Sequence, residues 1–484
     1  MTFSKSLLLF LALSVLAACA PATPLVTSAP PTISPVPPTA KPAVSVANAA
    51  PIDPTTPPIR PTLTGTPTAQ PINQPTLGYY NITPMANATL VTPFPTPLPS
   101  IKLDEGIINV LLIGTDYRPY ISQNYRTDTL IIVSVNTASG LVTMVSIPRD
   151  LFVYVPLWGM TRINTAFDAG ERINYPGGGA ALLKQTLLYN LGVPIHYYAL
   201  INFDGFRQIV DTLGGVEVAV NCELTEYKLK SPELDERLTE NYELYNQPIG
   251  VAQMNGDVAL WYARARPVGG DYFRSYRQRQ VLRAILRAAR SANLIPQIPS
   301  LYSDFQDVVT TDLGLWDAMQ FAPLATKLED AQLRSFAIGP NQTTPWLTPR
   351  GDDVLLPKAE ALQRLMAEAF TPPSANQLQR PLMRVEVVNA SGNIGWELLA
   401  AETLRNEGFV PVLNTETVLT QTNTLLVDYT TTAKGSPLKT LQTVLHVADA
   451  NVTPQPTADN AVQFRVVLGQ DYGTCPRLDW VADK

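Results

Sequence analysis

The sequence predicts an α/β protein: a three-layer α/β/α sandwich around a mixed sheet, followed by a small C-terminal α/β domain. Between residues 106 and 370, apolar runs of strand length alternate with segments of helical periodicity. The same alternation resumes after a break that begins Thr371-Pro-Pro-Ser. We therefore predict domains at residues 106–370 and 382–470, a linker at 371–381 and a tail at 471–484.

The individual elements follow from the apolar runs and their boundaries. Ile107 to Ile113 is a continuous apolar run that stops at Gly114, which predicts a central strand. Further strands are predicted at residues 129–135, 141–147, 197–201 and 216–220, with helices at 180–190, 203–213 and 274–292. In the second domain, strands are predicted at residues 384–389, around 410, at 425–428 and at 464–468, with helices at 396–407 and 438–445. The two strands that flank residues 136–140 should form a hairpin.

The N-terminal region predicts an anchor and a spacer. An apolar run leads to Leu16-Ala-Ala-Cys19, which is typical of a lipoprotein signal peptide with a lipobox over residues 1–19. Cleavage before Cys19 would leave a lipid-modified cysteine, so we expect an extracytoplasmic protein anchored to the membrane. The alternatives are an ordinary signal peptide with a chance cysteine and an uncleaved anchor helix. Residues 20–105 are rich in Pro and Thr, which predicts a disordered stalk.

Composition excludes several kinds of chemistry. The formal net charge of −6 over 484 residues argues against nucleic acid as a partner. The chain has only two histidines, His196 and His446, so a Ser-His-Asp triad or a multi-histidine zinc site is all but excluded. Cys222 and Cys475 can form a disulfide in an oxidising compartment or remain two buried thiols, and the sequence leaves both open.

Two aspartates lie where predicted strands meet one edge of the sheet. Asp116 follows the first strand and Asp128 opens the next. Because ligand sites in α/β sheets gather at strand ends, both side chains can reach the same place. Mg²⁺, or Mn²⁺ in its stead, binds few carboxylates together with water and phosphate oxygens, and two aspartates suit it. Either aspartate alone could instead cap a turn.

Arginines are concentrated near the same strand ends. Guanidinium groups bind phosphate oxygens bidentately, so this set predicts a ligand with several phosphate oxygens. Its members are Arg126, Arg149, Arg162, Arg264, Arg266, Arg274 and Arg277. Gln278 lies one helical turn from Arg274 and can act on the same ligand. The alternative for Arg264 and Arg266 is one face of an exposed strand. We interpret Arg283 and Arg287 as the polar side of an amphipathic helix.

Six motifs, taken in order, resemble the LytR-CpsA-Psr family of cell-wall glycopolymer transferases. They are Gly-Thr-Asp116, Arg126-Thr-Asp128-Thr, Ser-Ile-Pro-Arg149-Asp150, Arg162-Ile-Asn164-Thr-Ala, Leu-Gly-Gly-Val216 and Tyr-Ala-Arg264-Ala-Arg266. The resemblance covers residues 106–370. Val-Val-Asn389-Ala-Ser-Gly, after the linker, is similar to the LytR C-terminal-like domain that often follows in these proteins.

The resemblance implies a Mg-dependent phosphotransferase. It would move a glycopolymer from a polyprenyl-pyrophosphate carrier to a hydroxyl of peptidoglycan or another wall acceptor, as a phosphodiester. The implied catalytic residues are Asp116, Asp128, Arg149, Arg264 and Arg266, with Asp116 and Asp128 as metal ligands. The implied pyrophosphate ligands are Arg126, Arg149, Arg162, Arg264, Arg266, Arg274 and Gln278. Asp116 or Asp150 could take the proton of the acceptor hydroxyl.

Some features leave alternatives open. The family usually has Gln-Gln where this chain has Gln278-Arg279, so Arg279 either adds a charge to the site or faces solvent. Candidates for contact with the prenyl chain are Phe203, Phe206, Ile209 and Val210. Two other functions remain: a polyprenyl-pyrophosphate hydrolase that uses the same residues, and a non-catalytic prenyl-phosphate-binding regulator of the envelope.

Overall fold

The computed structural model describes most of the predicted globular region. The described residues are 95–116, 126–266, 270–291, 302–303, 305–316, 333–371, 383–416, 418–430, 436–457 and 461–475. The predicted signal peptide with Cys19, most of the predicted stalk, most of the linker and the end of the tail lie outside them. Within these ranges, no helix combines the length and the hydropathy that crossing a bilayer requires.

The first domain contains fourteen strands and six α-helices among its described residues. The strands are β1 (Ile107–Thr115), β2 (Thr127–Asn136), β3 (Val142–Ile147), β4 (Phe152–Val155), β5 (Gly159–Arg162), β6 (Tyr197–Ile201), β7 (Val216–Val220), β8 (Leu224–Leu229), β9 (Tyr242–Gln247), β10 (Gly250–Met254), β11 (Val309–Thr311), β12 (Leu333–Ala337), β13 (Thr343–Leu347) and β14 (Asp353–Pro357). The helices are α1 (Ala166–Arg172), α2 (Gly178–Leu191), α3 (Phe203–Thr212), α4 (Gly256–Arg264), α5 (Gly270–Ser291) and α6 (Ala359–Phe370).

The central sheet has six strands in the order β11-β6-β1-β2-β3-β12. The β1/β2, β2/β3 and β11/β6 pairs are antiparallel, whereas β1/β6 and β12/β3 are parallel, so the predicted mixed sheet and the β2–β3 hairpin are confirmed. Successive residues of a strand point to opposite faces. In β1, Val110 packs into the core that includes Ile209 of α3 and Ile285 of α5, and Leu111 packs into the core that includes Leu183 of α2. Helices therefore cover both faces, which confirms the three-layer sandwich.

The folded chain begins before residue 106, where the stalk was predicted to end. Leu98 and Ile101 donate their backbone N–H groups to Tyr189 and Gly192 at the end of α2, at 3.0 and 2.8 Å. Leu98, Ile101 and Leu103 also pack against the core on that face. Residues 95–105 thus contribute apolar side chains to the domain even though their composition is rich in proline.

The Arg264-Ala-Arg266 segment ends a helix and does not lie on the exposed strand that was its alternative. Asn255 begins α4, because its side chain accepts a hydrogen bond from the backbone N–H of Val258 at 2.9 Å. Arg264 is the last residue of α4, and Arg266 follows it. The predicted helix at residues 274–292 begins earlier, at Gly270.

The C-terminal domain is a small α/β unit, as predicted. Its strands are β15 (Arg384–Asn389), β16 (Val410–Leu413), β17 (Leu425–Asp428), β18 (Val452–Pro454) and β19 (Phe464–Leu468), and its helices are α7 (Trp396–Asn406) and α8 (Ser436–Val444). The five strands form one sheet in the order β16-β15-β19-β17-β18.

A disulfide joins Cys222, just before β8, to Cys475, with Cα atoms 4.8 Å apart. Of the two alternatives for these cysteines, the bridge is the one that forms.

Three arginines of α5, which we call the seam arginines, hold this helix to β3, β12 and the C-terminal domain. Arg279 donates to Ser146 Oγ at 2.8 Å, so it neither joins the cluster of charges near Asp128 nor projects into solvent. Arg283 is 3% exposed and donates to Leu333 O and Ser335 Oγ at 2.8 and 2.9 Å. Arg287 donates to both carboxylate oxygens of Glu402 on α7 at 2.7 and 2.6 Å. Our interpretation of Arg283 and Arg287 as a solvated helix face is therefore wrong.

Candidate active site

Asp116 and Asp128 lie on either side of the last β1/β2 pair. Gly114 pairs with Thr129, but the next residue, Thr115, pairs with Thr127. Asp128 is therefore the extra residue of a β-bulge. A bulge leaves one residue out of the ladder and redirects its side chain, and such bulges recur beside active sites. The half-buried Asp116 follows directly after Thr115, at the same sheet edge.

Close packing fixes the neighbouring position on this edge. A Cβ atom at Gly114 would lie 2.9 Å from Thr129 Cβ, so any larger residue would displace Thr129. The Oγ1 atom of Thr129 accepts a hydrogen bond from Gln278 Nε2 of α5 at 2.9 Å. The glycine thus allows β1, β2 and α5 to come together beside Asp128.

Arg149, just after β3, connects three carboxylates. Its Nη1 donates to both oxygens of Asp128 at 3.0 Å, and its Nε lies 3.3 Å from Oδ2 of Asp150 and from Oδ2 of Asp271. Burial acts to lower the pKa of Arg149, but the carboxylates of Asp128 and Asp150 outweigh it and raise the pKa above its ordinary value. Arg149 therefore stays charged and joins the bulge to α5.

Asp150, next to Arg149, lies in a partly buried position between two arginines and another carboxylate. Arg162, at the end of β5, reaches it with Nε at 3.6 Å and reaches Asp352 with Nη2 at 3.2 Å. Burial raises the pKa of Asp150 above its ordinary range, and the adjacent Asp271 carboxyl raises it further, although Arg149 and Arg162 act in the opposite direction. A carboxyl group with a raised pKa is a stronger base once it is ionised.

Two helices supply the other cationic groups. Arg264 lies with its guanidinium 4.0 Å from the ring centroid of Phe203 on α3. Asp271, in the first turn of α5, lies 3.7 Å from Nε of Arg266 and accepts from Nη2 of Arg274 at 2.9 Å. Burial lowers the pKa of Arg274 to about 10 despite the attraction of Asp271, so this side chain remains charged at neutral pH.

Arg277 has a different task from its neighbours on α5. It donates from Nε to Tyr262 O at 2.9 Å and from Nη2 to Ala265 O. Both carbonyls belong to the end of α4 or the residue after it, where the backbone leaves acceptors without helical partners. Arg277 thus fixes the backbone that carries Arg264 and Arg266.

Two guanidinium groups of the cluster keep a buried N–H without a hydrogen-bond acceptor in the described structure. These atoms are Arg162 Nε and Arg274 Nε. A buried donor without an acceptor costs free energy, and such exceptions often mark functional sites. An anionic ligand with several oxygens would satisfy both donors, because guanidinium groups match phosphate oxygens.

A cavity of about 570 Å³ opens at this cluster and continues into the first domain. Asp128, Arg264, Arg266, Arg274 and Gln278 line it beside many apolar side chains. We call Arg264, Arg266 and Arg274 the cavity arginines. Of the residues predicted for prenyl contact, Phe203, Phe206 and Ile209 line the cavity. Val210 does not: it is fully buried in the core behind them.

Seven of the predicted site residues thus converge, Asp116 lies beside them at the same sheet edge, and Arg126 and Arg277 do not join them. Asp128, Arg149, Arg162, Arg266 and Arg274 belong to one ion-pair network through Asp150 and Asp271, while Arg264 and Gln278 line the adjoining cavity. Arg126 is exposed, and no contact between described residues joins it to the network. Asp271 had been given no role, although its position three residues before Arg274 on one helix was a signal that could have paired them.

Comparison with known proteins decides the family. The model of the LytR_cpsA_psr family matches residues 87–367. The chain belongs to the LytR-CpsA-Psr family. A second model, for the LytR cell envelope-related transcriptional attenuator, matches residues 383–472. The family domain and the attenuator domain correspond to the two folded regions described above.

Named relatives of this LytR-CpsA-Psr chain are transferases. It is 32% identical over 219 residues to the polyisoprenyl-teichoic acid–peptidoglycan teichoic acid transferase TagU of Enterococcus faecalis V583, covering 44% of this chain and 64% of that protein. It is 31% identical over 215 residues to TagU of Bacillus subtilis 168, covering 43% and 62%. The match thus spans less than two thirds of these curated relatives.

Solved structures of related proteins include two from the same group. The crystal structure of Bacillus subtilis TagV is 23% identical, with a TM-score of 0.45, and covers 56% of this chain and 100% of that one. TagT bound to LIIa-WTA is 24% identical, with a TM-score of 0.43, and covers 57% and 95%.

The donor set at the bulge of this family member fits a hard divalent cation. Asp116 and Asp128 offer only oxygen ligands at one sheet edge, which suits Mg²⁺ when phosphate and water complete its shell. Among the described residues, no group of three or more His, Cys, Asp or Glu side chains could hold a metal ion. A cation here would therefore depend on oxygens from the ligand.

Proposed function

We propose that this chain transfers a glycosyl phosphate from a polyprenyl-pyrophosphate carrier to a hydroxyl of peptidoglycan or another wall acceptor. The observation that carries the proposal is the continuity between the apolar cavity and a cluster in which Arg162 Nε and Arg274 Nε are buried without acceptors. A prenyl pyrophosphate has the same two parts, an apolar chain and a doubly charged head. The names of the transferases TagU and TagT support the same substrate class.

The transfer breaks a phosphoanhydride bond and forms a phosphoester bond. The acceptor hydroxyl attacks the phosphorus that bears the glycan, the bond between the two phosphates breaks, and prenyl phosphate leaves. The cavity arginines, with Arg149 and Arg162, neutralise the charge that grows on the phosphate oxygens. Because positioning and charge supply most of phosphoryl-transfer catalysis, no covalent enzyme intermediate is required.

Asp150 is the best candidate for the proton acceptor. Its raised pKa makes it a stronger base than an exposed aspartate, and Arg149 and Arg162 hold it beside the phosphate-binding groups. Asp116 and Asp128 would hold Mg²⁺, which would supply positive charge that helps to neutralise the phosphates.

We further propose that Cys19 carries a lipid that anchors the protein outside the cell. Cys19 lies outside the described residues, so the support is the lipobox pattern alone. Replacing Cys19 with Ala should move the protein from the membrane fraction to the medium or periplasm. Retention of the variant in the membrane fraction would argue for an uncleaved helix.

The test of the transfer uses the purified chain with a radiolabelled glycan on polyprenyl pyrophosphate, with and without peptidoglycan. Transfer predicts acid-labile label on the peptidoglycan and release of prenyl monophosphate that depends on the acceptor. Release at the same rate without acceptor would indicate a hydrolase. Binding of the carrier without any product would indicate a regulator. Arg264→Ala serves as the inactive control.

A further inference from the structure

The cavity has a second, charged end that lies away from the cavity arginines. Asp257 and Arg264 both line the cavity and lie in the first and last turns of α4. They are seven positions apart on the α-helix, a distance of about 10 Å along the axis. The α4 residues that line the cavity between these two positions are Leu260, Trp261 and Ala263, and the lining also includes the apolar side chains of Phe206, Ile209, Leu282 and Ile285.

Three charged side chains from three elements meet at this far end, and all three line the cavity. Lys228 of β8, which is 8% exposed, places Nζ 2.7 Å from Oδ2 of Asp257. Arg207 of α3 places Nε 3.6 Å from Oδ1 of the same carboxylate. We call these three residues the end cluster. Nothing in the transfer chemistry uses them.

The end cluster is held in place. Lys228 Nζ also donates to Leu229 O at 2.9 Å, and Arg207 Nη1 pairs with Asp204 at 2.8 Å. The indole Nε1 of Trp261 donates to Tyr227 O at 3.2 Å, which ties β8 to α4 beside the cluster. Arg207 Nε is buried and has no hydrogen-bond acceptor in the described structure.

A hydrocarbon chain gains free energy by burial only where the wall is apolar. Apolar surface removed from water contributes about 25 cal/mol per Å². Against the end cluster the sign reverses, because further desolvation of paired charges without new partners is unfavourable. A chain that fills the apolar section therefore has no reason to extend past Asp257.

We propose that the end cluster of Arg207, Lys228 and Asp257 is the end wall of the lipid site and sets how much of a prenyl chain the protein binds. The proposal rests on the proposed function for the identity of the ligand as a prenyl phosphate. It adds that selectivity for chain length is built into three charged residues. Prenyl units beyond the wall contribute nothing to affinity, so carriers of different length bind alike once the apolar section is full.

The test measures binding of prenyl monophosphates of increasing length to the full chain in one detergent by calorimetry. The series is geranyl, farnesyl, geranylgeranyl and undecaprenyl phosphate. For the native chain, affinity should rise along the first members and then become constant. The triple variant Arg207→Met, Lys228→Met, Asp257→Leu removes the end cluster and takes an ion-pair partner only from Asp204, whose side chain is 85% exposed to solvent. In this variant the rise should continue, by about tenfold or more for each further prenyl unit that becomes buried.

Two further variants keep the test decisive if the triple variant folds poorly. Leu260→Phe adds bulk one turn after Asp257 on α4, on the side of Asp257 that faces Arg264 along the helix, and should move the plateau to a shorter chain. The control pair Asp168→Leu with Arg172→Met removes an ion pair of α1 that does not line the cavity and should leave the length profile unchanged. Melting temperatures of all variants check that they are folded.

The outcomes separate this inference from the proposed function. Arg264→Ala should weaken every member of the series by a similar factor, because it acts on the phosphate. A plateau that disappears in the triple variant supports the end wall even if no glycan transfer is ever detected. Normal transfer with a length profile that is identical in native, triple and Leu260→Phe proteins overturns the end wall. Absence of binding at every length overturns it as well.

Discussion

Arg274, one of the cavity arginines, and the seam arginines lie on successive turns of the same helix, α5, yet their N–H groups find different hydrogen-bond acceptors. Arg283 and Arg287 give their N–H groups to a carbonyl, a hydroxyl and the Glu402 carboxylate of the protein itself. Arg274 keeps a buried Nε without an acceptor in the described residues. The number of arginines in a sequence therefore says less about a binding site than the acceptors that the fold leaves for them.

The largest effect on transfer should follow from replacing the planar guanidinium group of a cavity arginine with a group of the same charge. Arg274→Lys retains a cation but loses the planar group that can bind two oxygens. We expect kcat/KM for transfer to fall by about a hundredfold or more with little change in unfolding free energy. The seam variant Arg283→Lys is the matched control on the same helix. Equal losses of transfer activity in Arg274→Lys and Arg283→Lys would contradict the proposed difference between the cavity arginines and the seam arginines.

The disulfide should dominate the stability of the seam. Cys222→Ser with Cys475→Ser opens a bridge that joins residues 253 positions apart. We expect a loss of about 4 kcal/mol, because the bridge limits the unfolded chain. Urea unfolding of oxidised native protein and the double serine variant measures it. An unchanged midpoint would mean that the C-terminal domain docks without help from the bridge.

Removing a seam arginine should cost slightly less. Arg287→Ala leaves Glu402, which is 6% exposed, with the more distant Arg405 at 3.6 Å as its remaining ion-pair partner among the described residues. Loss of one partner from a buried ion pair costs about 3 kcal/mol. Transfer activity should be retained, and Glu402→Gln in the same background should restore part of the stability. A variant that is fully stable but inactive would place Arg287 in the active site instead.

The smallest effect concerns how the Asp150 carboxyl group changes the stability of the folded protein. The raised pKa of Asp150 means that folding favours its protonated form. Its stabilising contribution is complete below the unfolded pKa, about 3.9, and is lost as pH rises through the folded pKa. Asp150→Asn should therefore melt at a higher temperature than native protein at pH 7, by a margin that shrinks towards acidic pH, and should transfer poorly. A difference in melting temperature between Asp150→Asn and native protein that does not change with pH would show that titration of Asp150 does not cause it.

Much of the fold could be predicted because the central strands are buried on both faces. The bounds of β6, β7, β15, β17 and β19 agree with the apolar runs from which they were predicted. Helix α4 was missed because its start depends on one capping residue, Asn255, and its apolar residues also suit a strand. The pattern of apolar residues in a short segment therefore predicts whether the segment is buried better than it predicts whether it is a helix or a strand.

The site was harder to predict where partners come from distant segments. The sequence placed Asp116 and Asp128 at one edge, since strand ends are local features. It could not show that Arg287 meets Glu402, 115 residues away, or that Arg283 meets Leu333. Whether an arginine pairs with another part of the protein or lines the cavity therefore depends on tertiary contacts, which the residues next to it in the sequence do not reveal.

Asp128 lies outside the β1/β2 pairing, so its proposed role in the reaction is independent of its contribution to the sheet. With this residue removed, the register of β1 and β2 would run without interruption from Gly114 to Thr115. Asp128 has no pairing partner in the ladder, so we expect variants that lose it to keep the β1/β2 pairing and to fold. We expect a mutational screen that measures abundance or thermal stability to score such variants as similar to the native protein. Only an assay that follows the product would find them.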